Sequence, residues 1–195
     1  MADRLRQPLD TGSGAQRFAR TQGRSLAPDV FIFHVSLYGP TLLTQLLASL
    51  PQATVMSEPS IIDSLLRMHH DHGGSDTVTL LRQAMLAMGQ RRNGAEDTSV
   101  IKFDCWHIHS LRLLRQAFPA PPCLFLYRQP HAVLASHQRR CGPQMVPGLI
   151  HLALLPLPDL PVAAADLDAF TAQVLDSLFT AARRHAGRRA HADQL

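Results

Sequence analysis

Cysteine is scarce: Cys105, Cys123 and Cys141 are the only three in 195 residues, and no two lie close together. An odd count at such wide spacing fits neither a disulfide framework nor a Cys-x-x-Cys metal or redox motif, so reduced structural thiols in a cytoplasmic protein are expected. An apolar leader is also missing. Residues 1–27 are polar and rich in Arg and Gly, without the hydrophobic stretch of a signal peptide. They read as a flexible tail before one domain spanning 28–195. No hydrophobic run is long and unbroken. Met145 to Ala165 is apolar but carries Pro147, Pro156, Pro158, Pro161 and Asp159, which argues against a membrane span and predicts an irregular loop or lid. There is no Gly-x-x-x-x-Gly-Lys-Ser/Thr, which disfavours an ordinary nucleoside triphosphatase, and no internal repeat.

Charged residues make up 17% of the chain, enough like ordinary globular proteins to exclude disorder away from the ends. A chain of this length buries roughly 70% of its unfolded surface, enough for one substantial core. The net charge of +4 comes mainly from arginines near the termini, including Arg183, Arg184, Arg188 and Arg189. Almost no aromatic residues interleave with them, so stacking on nucleic-acid bases is not expected; a solvated basic helix end is the plainer reading. A basic balance is compatible with a small anionic ligand. Eleven histidines include the cluster His69-His70-Asp71-His72. Adjacent ligands without cysteine partners fit no structural zinc spacing, and no metal is expected.

Apolar runs and helical spacing alternate along the chain. Val30 to Phe33, Thr54 to Ser57, Val100 to Phe103 and Cys123 to Tyr127 read as strands, the last as a strand buried on both faces. Helices are expected after the first strand to Leu50, over Ile61 to Met68 with Ile61, Leu65 and Met68 on one face, and over Thr77 to about Arg91. The third is capped by Asp76, has Leu80, Ala84, Leu86 and Met88 apolar, and is closed by Asn93-Gly94. Further helices run over His109 to Phe118, Pro130 to Arg140, and from Asp166 to His185, the last with the stripe Leu167, Phe170, Val174, Leu178 and Ala181. Such alternation predicts an α/β domain with a parallel sheet flanked by helices.

Arg128 follows the fourth strand, at the sheet edge where ligands of α/β proteins bind. Its planar fork suits a phosphate. Pro130 suits the first turn of the next helix, and Ser136, about two turns in, offers a hydroxyl to the same anion. This Arg-x-Pro with Ser eight residues after the Arg resembles the 3′-phosphate-binding element of sulfotransferases that use 3′-phosphoadenosine 5′-phosphosulfate (PAPS). His34-Val35-Ser36-Leu37-Tyr38-Gly39-Pro40-Thr41-Leu42-Leu43 after the first strand resembles the 5′-phosphosulfate loop of the same family. Ser57-Glu58-Pro59 and Lys102-Phe103-Asp104-Cys105-Trp106-His107 are similar to its bacterial branch. The likeness spans about Val30 to Gly148, in order.

The resemblance implies a P-loop nucleotide-binding type of sheet, PAPS as co-substrate without a metal, and a small-molecule or glycan acceptor. It places Gly39, Thr41 and Leu42 beside Arg128 and Ser136 at the nucleotide. Backbone N–H groups at a helix start would cradle the anion there. Leu37 stands where the family has Arg or Lys, Tyr38 where it has Ser or Cys, and Pro40 where it has Ser or Thr. Those departures predict weak catalysis, or a relative that binds the nucleotide without turning it over, or an interaction module. Sulfuryl transfer from an acceptor hydroxyl needs a base within hydrogen-bond reach. Asp104 stands where cytosolic relatives carry His, and Glu58 is the alternative; each is equally readable as a cap or an ion-pair partner, with Lys102 for instance. The family continues into further sheet where this sequence ends, so an exposed edge is expected, in a shortened family member, in a homodimer formed over that edge, or in a marginally stable chain.

Overall fold

The computed structural model describes residues 25–35, 40–151, 154–157 and 166–192. Four strands, β1 (Val30–His34), β2 (Ala53–Ser57), β3 (Thr98–Lys102) and β4 (Cys123–Leu126), form one parallel sheet in the order β2-β3-β1-β4. Between them run α1 (Pro40–Ala48), α2 (Ser60–His72), α3 (Thr77–Met88), a 3₁₀ helix (Cys105–Ser110) and α4 (Leu111–Ala117). After β4 come α5 (Pro130–Arg139), a short 3₁₀ turn and the long α6 (Leu167–Ala192). This is the α/β architecture that the alternation predicts.

Every parallel pair needs a crossover, and crossovers are right-handed. From β1 the chain moves two places one way to β2; from β3 it moves two places the other way, past β1, to β4. Adjacent strands β1 and β3 therefore send their connections to opposite faces. Their carboxyl ends are therefore a topological switch point, the position where open α/β sheets bind ligands.

The sheet centre is held by aromatic packing. Phe31, Phe33 and Phe103 are fully buried; Phe103 stacks on Phe33 at 5.0 Å and meets Phe31 edge-on at 5.1 Å. Burying each such ring contributes about 1.5–3 kcal/mol. Ser25 and Leu26 also belong to the fold, through a bridge from Ser25 to Gln90 and a hydrogen bond from the Leu26 N–H to the Gly89 carbonyl.

Several expectations are corrected. Among the described residues β4 pairs only with β1, so it is an edge strand and not one buried on both faces; Leu124 is 48% exposed. In α2 the inward residues are Ile62 and Leu66, with Ile61 and Met68 turned to solvent. In α3 they are Thr77, Leu81 and Met85, and the helix stops at Gly89 rather than at Asn93-Gly94. Asp76 does not cap it, because its backbone is already helical (φ −89°, ψ −9°) where a cap needs an extended residue. The stretch from His109 begins inside the 3₁₀ helix, and the α-helix proper starts at Leu111. Asp166 does cap α6, accepting the Ala169 N–H at 2.9 Å. Of its stripe, Val174, Leu178 and Ala181 are buried while Leu167 is exposed. The proline-broken stretch is partly core: Met145, Ile150, Leu154 and Leu155 are buried, and residues 158–165 lie outside the described residues. None of the three cysteines forms a disulfide.

Candidate functional site

Three strand ends bring three polar side chains together. His34 closes β1, Glu58 follows β2, and Lys102 closes β3. Glu58 Oε1 accepts a hydrogen bond from Lys102 Nζ and lies 3.3 Å from His34 Nε2. Lys102 is 2% exposed, and it is the only lysine in the chain. A buried ammonium needs such a partner, because its desolvation is otherwise uncompensated. Glu58 has φ +50°, and among the described residues it is the only one besides glycine with positive φ. Backbone strain of this kind is tolerated where the surroundings over-determine it, and it concentrates at ligand sites. The hydrogen bond from His34, opposed by burial and helped by Lys102, holds the Glu58 carboxyl down to about 2.

A second network adjoins the first. Asp63, in the first turn of α2, accepts Trp106 Nε1–H at 2.9 Å and His107 Nε2–H at 3.0 Å on one oxygen. Its other oxygen accepts Arg67 Nε–H at 2.6 Å. Burial opposes the Asp63 carboxylate, but the bonds from His107, Arg67 and Trp106 outweigh it and hold its carboxyl well below the usual range. Asp104 faces the other edge of the His107 ring, with Oδ2 3.9 Å from Nδ1. Burial pushes the Asp104 carboxyl up, offset in part by His107 and reinforced by the negative charges of Glu58 and Asp63. Asp63, Asp104 and His107 are close enough to gather round a cation. Both Asp63 oxygens, however, already serve three donors, so the group reads as a hydrogen-bond network.

The predicted base candidates Glu58 and Asp104 therefore meet at one edge, in contrasting environments. Arg128 is half-buried two residues beyond β4, at the same end of the sheet. Ser136, in α5, donates its hydroxyl proton to the Ala132 carbonyl at 2.8 Å, so it would serve an anion only after rotating. Thr41 and Leu42 sit in the exposed first turn of α1, Leu42 at 60% exposure. Gly39, with Leu37 and Tyr38, lies outside the described residues. His109 packs away from this edge: burial pushes its imidazole down to about 4, and Ser177 of α6 lies 3.3 Å from it.

Sequence reasoning gives no role to His34 or Asp63. The lone lysine was the available signal for the first network, since every other Lys/Arg position is arginine. For Asp63 the signal is an acid beside the inward residue Ile62. The chain matches no protein-family model, and its sequence matches no curated protein.

Proposed function

We propose that this domain is sulfotransferase-like, binding PAPS at the carboxyl edge of the sheet and passing its sulfuryl group to a hydroxyl or amine. The observation that carries the reading is the buried Lys102 paired with the partly exposed Glu58, with His34 and Asp104 beside them, at the carboxyl ends of β1, β2 and β3. A fixed cation there complements charge that grows on the leaving phosphate oxygen, and a preorganised cation costs no reorganisation during reaction. Arg128 and Ser136 are assigned to the 3′-phosphate through the resemblance of their motif.

In the transfer, the acceptor oxygen attacks sulfur and the sulfur–oxygen bond to the phosphate breaks, its electron pair leaving with the phosphate. The acceptor proton goes to Asp104. Glu58 is the poorer base, because a carboxyl held at about 2 has little affinity for a proton, whereas that of Asp104 is raised. The test is PAPS turnover with a panel of phenols, alcohols and amines. Asp104→Asn should lower kcat by about 10²–10⁴, the span for a general base. PAPS left intact with the whole panel would rule out transfer to these acceptor classes.

A second reading, nucleotide binding without turnover, is favoured by Leu37 and Pro40, which remove a cation and an N–H from the loop. Leu37→Arg with Pro40→Ser should then raise PAPS consumption; no gain over an active parent would discard this reading.

A further inference from the structure

We infer that His107 is a positioning residue behind Asp104, a proton acceptor built into the core and oriented by Asp63. The inference rests on the proposed transfer to an acceptor at Asp104. Its structural part, the single tautomer and the coupling of His107 to Asp104, is independent of any substrate.

The His107 side chain is fully buried, between Phe103 and Trp106. Nε2–H points at the ionised Asp63, which fixes that nitrogen as the donor and leaves the lone pair on Nδ1. Nδ1 is buried and has no hydrogen-bond partner. Such atoms are rare in folded proteins and call for an explanation. The polar group it faces is the Asp104 carboxylate, at 3.9 Å, too long for a hydrogen bond but within reach of a small rotation about the Asp104 side chain. A carboxylate holding one imidazole nitrogen while the other stays free to take a proton is the layout that makes histidine a base.

The acceptor O–H gives its proton to Asp104 as the oxygen–sulfur bond forms. Protonated Asp104 turns its O–H toward Nδ1 and passes the proton on. The resulting imidazolium keeps its Nε2–H on Asp63, whose negative charge stabilises it, and Asp104 is again ionised. The proton later leaves by the same route. The titratable and charged groups around this unit are Asp63 and Arg67 from α2, Asp104 from the loop after β3, and Glu58, His34 and Lys102 from the ends of β2, β1 and β3. Arg67 pairs with Asp63, and Lys102 with Glu58.

The test uses the full chain with ¹⁵N-labelled histidine and ¹³C-labelled aspartate. Long-range ¹H–¹⁵N spectra of the parent at neutral pH should show His107 protonated on Nε2 and bare on Nδ1. His107→Gln keeps an N–H for Asp63 but has no basic nitrogen, and it should move the Asp104 carboxyl titration to higher pH. In PAPS turnover the same variant should move the acidic limb of the pH–kcat profile to higher pH, following Asp104, and leave KM for PAPS unchanged. A His107 bare on Nε2, or an Asp104 titration indifferent to His107→Gln, overturns the inference. The parent spectrum decides the tautomer even if the variant does not fold. If PAPS is not consumed while the spectra agree, the proposed transfer falls and the coupled Asp104–His107 unit stands.

Discussion

Replacing Glu58 with Gln removes a charge but keeps an oxygen for Lys102, so it isolates the electrostatic part of this pair. The carboxyl of Glu58 is drawn from an ordinary 4.5 to about 2. At about 1.4 kcal/mol per unit, that difference would amount to roughly 3 kcal/mol. The Glu58 side chain is 41% exposed, and solvent screening at that exposure reduces the figure to about 1–2 kcal/mol. A group whose folded pKa is depressed stabilises the fold above its unfolded value and loses that contribution as the pH falls through the folded one. The gap in unfolding free energy between parent and Glu58→Gln should therefore be constant above pH about 4.5 and shrink as the pH falls toward about 2. Glu58→Ala should cost more, about 3–5 kcal/mol, because it strands a buried ammonium. Glu58→Gly loses the same carboxylate but relieves the left-handed backbone, worth roughly 1–2 kcal/mol, and should be milder than Glu58→Ala. Urea unfolding followed by circular dichroism between pH 3 and 8 reads all four proteins. A gap that does not vary with pH, or an Ala variant as stable as Gly, would refute the ion pair or the strain respectively.

Arg128→Ala should weaken binding of a 3′-phosphorylated adenine nucleotide by about 1.5–3 kcal/mol, the value of hydrogen bonds to a charged group; fluorescence competition reads it, and unchanged affinity would remove Arg128 from the site. On β4, which among the described residues pairs only with β1, Leu124 is 48% exposed, and Tyr127 just beyond the strand is 71% exposed. An uncovered edge templates self-pairing, so the parent should self-associate in light scattering, and Leu124→Lys should return it to a monomer. A monomeric parent would show that this edge is covered in solution.

Element order and type were legible because apolar runs of four or five residues alternate with helical spacing, and Pro130 and Asp166 mark helix starts. Helix phase was not. Ile61-Ile62 with Leu65-Leu66, and Leu80-Leu81, each offer two equally apolar stripes, and only tertiary packing selects Ile62, Leu66 and Leu81 for the core. Cys123 to Leu126 has the composition of a central strand, yet composition does not say whether a neighbour lies on its far side. At the site, strand-end position was enough to mark Glu58, Asp104 and Arg128. Asp63 was out of reach because its partners Trp106 and His107 lie more than forty residues away, and only the packing of α2 against the 3₁₀ helix joins them.

Calorimetric titration of the chain with 3′-phosphoadenosine 5′-phosphate, against adenosine 5′-phosphate as the control, asks whether the sheet edge holds a 3′-phosphate. It examines the pocket without requiring an acceptor or turnover. If Arg128 and Ser136 hold the 3′-phosphate, the bisphosphate should bind about 10–150-fold tighter, as 1.5–3 kcal/mol of charge-assisted hydrogen bonding converts. Equal affinity for the two nucleotides, or no heat with either, would contradict a PAPS-type site on this sheet edge.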